Sequence, residues 1–205
     1  MADYTGTNNN DTIVANGQAD NISGLDGDDT IDAKGGADVV DVGAGNDFIK
    51  GRGGADVLYG GTGNDKIRGG GGNDVVIGGA GADNVKGNNG TDTLSYEGSD
   101  AGVTVDLGAR TASGGHAEGD VIDGTFENLT GSSWDDTLTG SAGNNVLTGG
   151  AGNDSLDGGA GTDTAVFTGN LADYHLIAEN GVITVTDLRG GANDGIDILV
   201  NFESL

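Results

Sequence analysis

Gly60-Gly61-Thr62-Gly63-Asn64-Asp65-Lys66-Ile67-Arg68 is followed at once by Gly69-Gly70-Gly71-Gly72-Asn73-Asp74-Val75-Val76-Ile77. Both stretches run through glycines to an aspartate and place an aliphatic residue two positions later. Outward from this pair the aspartate recurs every nine residues, at Asp11, Asp20, Asp29, Asp38, Asp47, Asp56, Asp65, Asp74, Asp83 and Asp92. The aliphatic partners are Ile13, Ile22, Ile31, Val40, Ile49, Leu58, Ile67, Val76, Val85 and Leu94. Side chains alternate across a strand, so each x-aliphatic-x triplet predicts a short strand with its middle residue facing a core. Glycines lack a Cβ, so the loops between these strands can take positive φ and bring carbonyls close together.

The composition says what must hold such a chain together. Glycine supplies 44 of 205 residues, about three times its usual ~7% share. Proline and cysteine are absent, which excludes disulfides and thiolate metal sites. The formal charge is −25. A charge of that size makes a compact state repel itself, so a positive partner is expected. It argues against nucleic acid, which needs clustered lysine and arginine; the eight basic residues are scattered along the sequence. No apolar run is long enough to span a membrane. Met1-Ala2-Asp3-Tyr4-Thr5-Gly6 has neither the basic nor the apolar region of a cleavable secretory signal.

One aliphatic side chain per nine residues does not offset the entropy of ordering nine glycine-rich backbones. Each repeat also adds a carboxylate to a stack of like charges. Without a cation the repeats are therefore expected to be disordered. A hard divalent ion reverses this, because calcium takes six to eight oxygen ligands and each loop offers a carboxylate and several carbonyls. The competing reading is a metal-free solenoid whose aspartates only turn corners; the uncompensated charge tells against it.

The repeat resembles the glycine-rich nonapeptide of RTX proteins, G-G-x-G-x-D-x-U-x with U large and aliphatic. The resemblance implies an all-β fold, a parallel β-roll with two nonapeptides per turn and calcium between successive loops of one column. One column would hold Asp11, Asp29, Asp47, Asp65 and Asp83; the other Asp20, Asp38, Asp56, Asp74 and Asp92. The implied ligands also include Gly43, Gly45, Gly61, Gly63, Gly70, Gly72, Gly79 and Gly81. The loops ending at Asp11, Asp20 and Asp38 lack most of their glycines and are expected to be caps or weak sites.

The period breaks after Leu94 and resumes at Asp136, Asn145, Asp154 and Asp163. Asp136 lies out of the nine-residue register of the first block. Asp136, Asp154, Asp163, Gly150, Gly152, Gly159 and Gly161 join the implied metal ligands; Asn145 puts an amide where the carboxylate belongs. After each block comes a similar tail. Phe126-Glu127-Asn128-Leu129 parallels Phe202-Glu203-Ser204-Leu205, and Val103-Thr104-Val105 parallels Val182 to Val185. The expected organisation is a first roll over 1–95, a β-rich cap or connector over 96–130, a short second roll over 131–167 and a β-rich cap over 168–205. The closing motif is compatible with a chain that ends there and with one cut from a longer parent.

His116 and His175 are the only histidines, and His116 reads as a solvated loop residue rather than half of an acid/base pair with Glu118 or Asp120. Trp134 is expected to pack at the start of the second roll. No catalytic triad order, His-Glu-x-x-His or phosphate loop is present. The reading is a non-enzymatic calcium-binding protein carrying roughly eight to ten ions in its folded state. By family resemblance it is bacterial, exported by a type I system, and extracellular or on the cell surface, where calcium is plentiful and the chain folds. The alternatives are a carbohydrate-binding or adhesive module of a larger surface protein, with an extracellular polysaccharide or cell-surface partner, and the accessory module of a secreted enzyme.

Overall fold

A computed structural model describes residues 1–190 and 194–205. The triplets around the aliphatic residues are strands, and they stack in parallel at an offset of 18 residues: Thr12 lies beside Thr30, and Val39 beside Val57. Eighteen residues make one turn, because successive triplets go to opposite sheets.

Sheet one holds β1 (Asp3–Thr5), β3 (Asn21–Ser23), β5 (Val39–Asp41), β7 (Val57–Tyr59), β9 (Val75–Ile77), β11 (Thr93–Ser95), β15 (Asn128–Thr130), β17 (Val146–Thr148) and β19 (Thr164–Val166), in that order. Facing it is sheet two, with β2 (Thr12–Val14), β4 (Thr30–Asp32), β6 (Phe48–Gly53), β8 (Lys66–Gly71), β10 (Asn84–Asn89) and β14 (Val121–Ile122). Sheet three takes over on that side: β13 (Thr111–Ser113), β12 (Thr104–Asp106), β16 (Thr137–Ser141), β18 (Ser155–Gly159), β22 (Ile196–Val200), β21 (Val182–Asp187) and β20 (Tyr174–Glu179). The fold is an all-β parallel solenoid, as the repeat predicts.

The core is the row of aliphatic positions. Ile31, Val40, Ile49, Leu58, Ile67, Val76, Val85 and Leu94 are fully buried, and the row continues through Leu129, Leu138, Leu147, Leu156 and Ala165. The break in the nine-residue period does not break sheet one. Leu94 pairs with Leu129 and Leu129 with Leu147, so the segment after the first block returns a rung to the same ladder. On the other side that segment ends sheet two with β14 and starts sheet three with the β12–β13 hairpin. At the far end β20 and β21 add antiparallel to β22 and cover an edge that would otherwise invite pairing with another chain.

Two sequence expectations fail in three dimensions. Trp134 is 55% exposed; it sits in the turn ahead of Asp136, where its backbone, not its ring, faces Gly152. The basic residues do not scatter in space. Lys34, Lys50, Arg52, Lys66, Arg68 and Lys86 all lie on or beside strands β4 to β10 of sheet two.

Candidate metal centres

The loop ending at Asp65 shows how one centre is made. Gly61 and Gly63 take φ of 88° and 126°, a region that side chains rarely occupy. A Cβ on Gly61 would strike the Gly43 carbonyl one turn earlier, and one on Gly63 the Gly45 carbonyl. Stacked loops therefore bring backbone carbonyls into close order. Asp65 lies beneath them, 2% exposed. Its Oδ1 accepts the backbone N–H of Asp47 at 2.8 Å, one turn back. Its Oδ2 is buried with no hydrogen-bond partner. Gly60 clears the space for that oxygen: a Cβ there would stand 2.6 Å from Oδ2.

The same arrangement repeats along both columns. Asp29, Asp38, Asp47, Asp56, Asp65, Asp74, Asp83, Asp92, Asp154 and Asp163 each bury an Oδ2 without a partner. In all of them the residue four positions earlier has positive φ: Leu25, Lys34, Gly43, Arg52, Gly61, Gly70, Gly79, Asn88, Gly150 and Gly159. Every glycine singled out in the sequence, Gly45, Gly63, Gly72, Gly81, Gly152 and Gly161 included, has this geometry.

The first two loops of each block differ. The Asp11 carboxylate accepts from the N–H and hydroxyl of Thr7, and Asp20 from Asn16. Asp136 accepts from the N–H and hydroxyl of Ser132, and Asn145 Oδ1 from the N–H of Ser141. These residues four positions back are outside the positive-φ set, so their N–H groups turn inward. At the start of each block the side-chain oxygen is thus satisfied by its own loop. The resemblance implies Asp11, Asp20 and Asp136 as ligands, the first two as weak ones; in the structure each carboxylate accepts from its own loop.

Burial makes eight of the ten unpartnered carboxylates hard to ionise. Desolvation pushes Asp47, Asp56 and Asp92 up to about 6, and Asp65 and Asp154 up to about 7, against the backbone N–H bond that favours the charged form. Asp38, Asp74 and Asp83 are raised for the same reason. A buried acceptor without a donor costs about 1–3 kcal/mol, more when charged. A cation beside Oδ2 removes that cost, so the residues fit a hard ion. Among the described residues no three His, Cys, Asp or Glu side chains cluster. One carboxylate per loop leaves the remaining ligands to backbone carbonyls, which calcium accepts.

The family model for the RTX calcium-binding nonapeptide repeat matches residues 5–40, 34–67, 59–94 and 130–165. The chain belongs to this family. It is an RTX calcium-binding β-roll, and the family match spans both runs of loops. Among solved structures, the crystal structure of the extracellular lipase LipA from Serratia marcescens is similar at 16% identity with a TM-score of 0.25. The alignment covers 97% of this chain and 37% of the lipase chain, so the RTX chain spans little more than a third of that protein. No match was found among curated protein sequences.

The RTX pattern missed four acids that extend the columns. Asp120 accepts the N–H of Asp83 and Glu127 that of Asp92; Asp197 accepts from Asp154 and Glu203 from Asp163. Each stands two residues before an inward-facing or terminal apolar residue, as in Asp120-Val121-Ile122 and Asp197-Ile198-Leu199, but without the glycines that advertise a repeat. Asp120 needs no ion at its second oxygen, which accepts the Tyr96 hydroxyl at 2.9 Å.

Proposed function

We propose that this RTX chain is a non-enzymatic calcium-responsive module that is unfolded where calcium is scarce and folds outside the cell where it is abundant. The observation that carries the reading is the row of ten buried carboxylate oxygens without a partner. Each marks a ligand position that calcium fills when bound, completed by glycine carbonyls of its own loop and the preceding one. Asp29, Asp47, Asp65 and Asp83 serve one column, Asp38, Asp56, Asp74 and Asp92 the other, and Asp154 and Asp163 the second block. On this reading Asp11, Asp20 and Asp136 are self-satisfied end loops. A folded chain then carries about ten ions, the top of the range expected from spacing.

Export by a type I system suits such a chain, because a chain disordered without calcium can be threaded before it folds. The non-enzymatic reading is supported by the surroundings of the histidines. His116 stands 4.0 Å from Asp100, whose side chain is 82% exposed, and His175 is an exposed residue of β20. Among the described residues neither imidazole hydrogen-bonds to a buried carboxylate, the arrangement that orients a general base.

Native mass spectrometry of the refolded chain tests the count. About ten calcium ions, with Asp65→Ala losing one or two and Asp11→Ala losing none, is the expected result. One or two ions in the wild type would end the column picture.

A further inference from the structure

Six of the eight basic residues gather on the outer face of sheet two in a chain of net charge −25. Asp32, Lys50, Arg68 and Lys86 stand in one line across β4, β6, β8 and β10. Phe48 and Lys66 stand side by side in the next line. The Lys50 and Arg68 cations lie 4.4 and 5.4 Å from the Phe48 ring centre. A groove of about 520 Å³ runs here, lined by Lys50, Arg52, Arg68, Asn88 and Asn89.

The ends of the stripe are neutralised. Asp32 pairs with Arg52 at 2.7 Å and Lys34 at 3.0 Å, and Lys86 faces Asp123 at 3.9 Å. Among the described residues no ion pair involves Lys50, Lys66 or Arg68. Like charges opposite one another on neighbouring strands destabilise a sheet. The chain has 33 acids, yet Lys50 and Arg68 stand opposite each other without one. Their contact within the molecule is the Phe48 ring, a cation–π interaction that leaves their charge without a counter-ion.

We propose that this stripe binds a linear carboxylated polysaccharide, with Lys50 and Arg68 taking successive carboxylates and Lys66 flanking them. Lys50 and Arg68 stand on neighbouring strands, separated along the roll axis by the strand spacing of about 4.8 Å, close to the length of one sugar ring in an extended chain. Asn88 and Asn89 offer amides to hydroxyls, and Phe48 gives an apolar floor. A single glycan strand fits within the cationic face. A nucleic-acid duplex is wider and would meet the acidic loops on either side, where its phosphates are repelled. The site rests on the calcium-folded roll, since β6 and β8, a full turn apart in the chain, bring the cations together.

The test is calorimetry of the calcium-loaded full chain with short polygalacturonate oligosaccharides. Free calcium is held constant, because the glycan takes up calcium itself. Binding that weakens with added salt is expected. K50Q/R68Q should lose about tenfold or more in affinity, with its circular dichroism and calcium midpoint as in the wild type. Should that pair of substitutions unfold the roll, R68Q alone is measured against R110Q, which lies off the stripe and should bind as the wild type does. No binding by a wild type that is folded by circular dichroism overturns the proposal. So does equal affinity of the stripe variant, equal binding of neutral dextran, tighter binding of single-stranded DNA, or a stripe variant that instead loses self-association. A wild type without β-structure in calcium would count against the folding reading, not against the stripe.

Discussion

Asp65 takes part in two turns of the roll at once, because its Oδ1 fixes the backbone of Asp47 while its own N–H is fixed by Asp83. Removing its carboxylate disturbs the ions shared with both neighbours. Loss of two sites is worth about 3 kcal/mol at calcium near ten times Kd. Asp11 is half-buried and held by Thr7 within its own loop, so Asp11→Ala should cost within about 0.5 kcal/mol, as for a surface change. Calcium titrations followed by circular dichroism should therefore give Asp65→Ala a clearly higher midpoint than Asp11→Ala; coincident midpoints would refute the assignment. Gly60 supplies a second case. Its φ is outside the positive set, so alanine meets no backbone strain there. The added methyl collides with the Gly78 carbonyl oxygen one turn on, at 2.3 Å, and with Asp65 Oδ2, at 2.6 Å. Gly60→Ala should cost about 1–3 kcal/mol as an overpacked core does, read as a raised calcium midpoint. Tolerance of alanine would mean that the stacked loops do not pack as closely around Oδ2 as the Gly60, Gly78 and Asp65 geometry requires.

The junction between sheets two and three asks more of its strands than the repeats do. Here β14 closes one ladder and β12–β13 opens another, while β15 continues sheet one. Asp120 is the last acid of its column, and Tyr96 stands where the other loops leave an oxygen open. Burial and the neighbouring Asp120 carboxylate push the Tyr96 phenol upward, so it stays a donor. Tyr96→Phe leaves the Asp120 oxygen buried and unpaired, at a cost of about 1–3 kcal/mol. Denaturant unfolding in saturating calcium should show that loss without a change in the number of bound ions. Unchanged stability would mean that water or an ion replaces the hydroxyl.

Acidity should act on the metal-free chain as calcium does, more weakly. The folded-state values of about 6 for Asp47, Asp56 and Asp92 and about 7 for Asp65 and Asp154 lie above the unfolded value near 3.9. A group raised on folding contributes stability below its unfolded pKa and loses it as pH rises through the folded pKa. The calcium-free protein should therefore gain β-structure as pH falls from about 7.5 to about 4, with the steepest change between about 7 and 5. In calcium the same protons compete with the ion, so the calcium midpoint should rise on acidification. A calcium-free circular dichroism spectrum that stays flat across this range would contradict the burial of these carboxylates.

The period of nine decided the solenoid before any coordinates, because a short strand followed by a glycine loop has one way of stacking its aliphatic residues inward. It also named the aspartates at Asp29 to Asp92, since the carboxylate position is tied to the strand two residues away. What the sequence hid is non-periodic or has a longer period. Lys50, Arg68 and Lys86 recur every 18 residues and look scattered until one turn is known to be that long. Asp120 and Glu127 lie beyond an interruption whose length only the folded path absorbs. Thr7, Asn16 and Ser132 resemble other loop residues in the sequence, yet their backbone conformation turns an N–H toward the carboxylate. Spacing places a carboxylate at each loop; whether its second oxygen finds a donor depends on one φ angle and on which loop lies a turn away, and both are properties of the stacked chain.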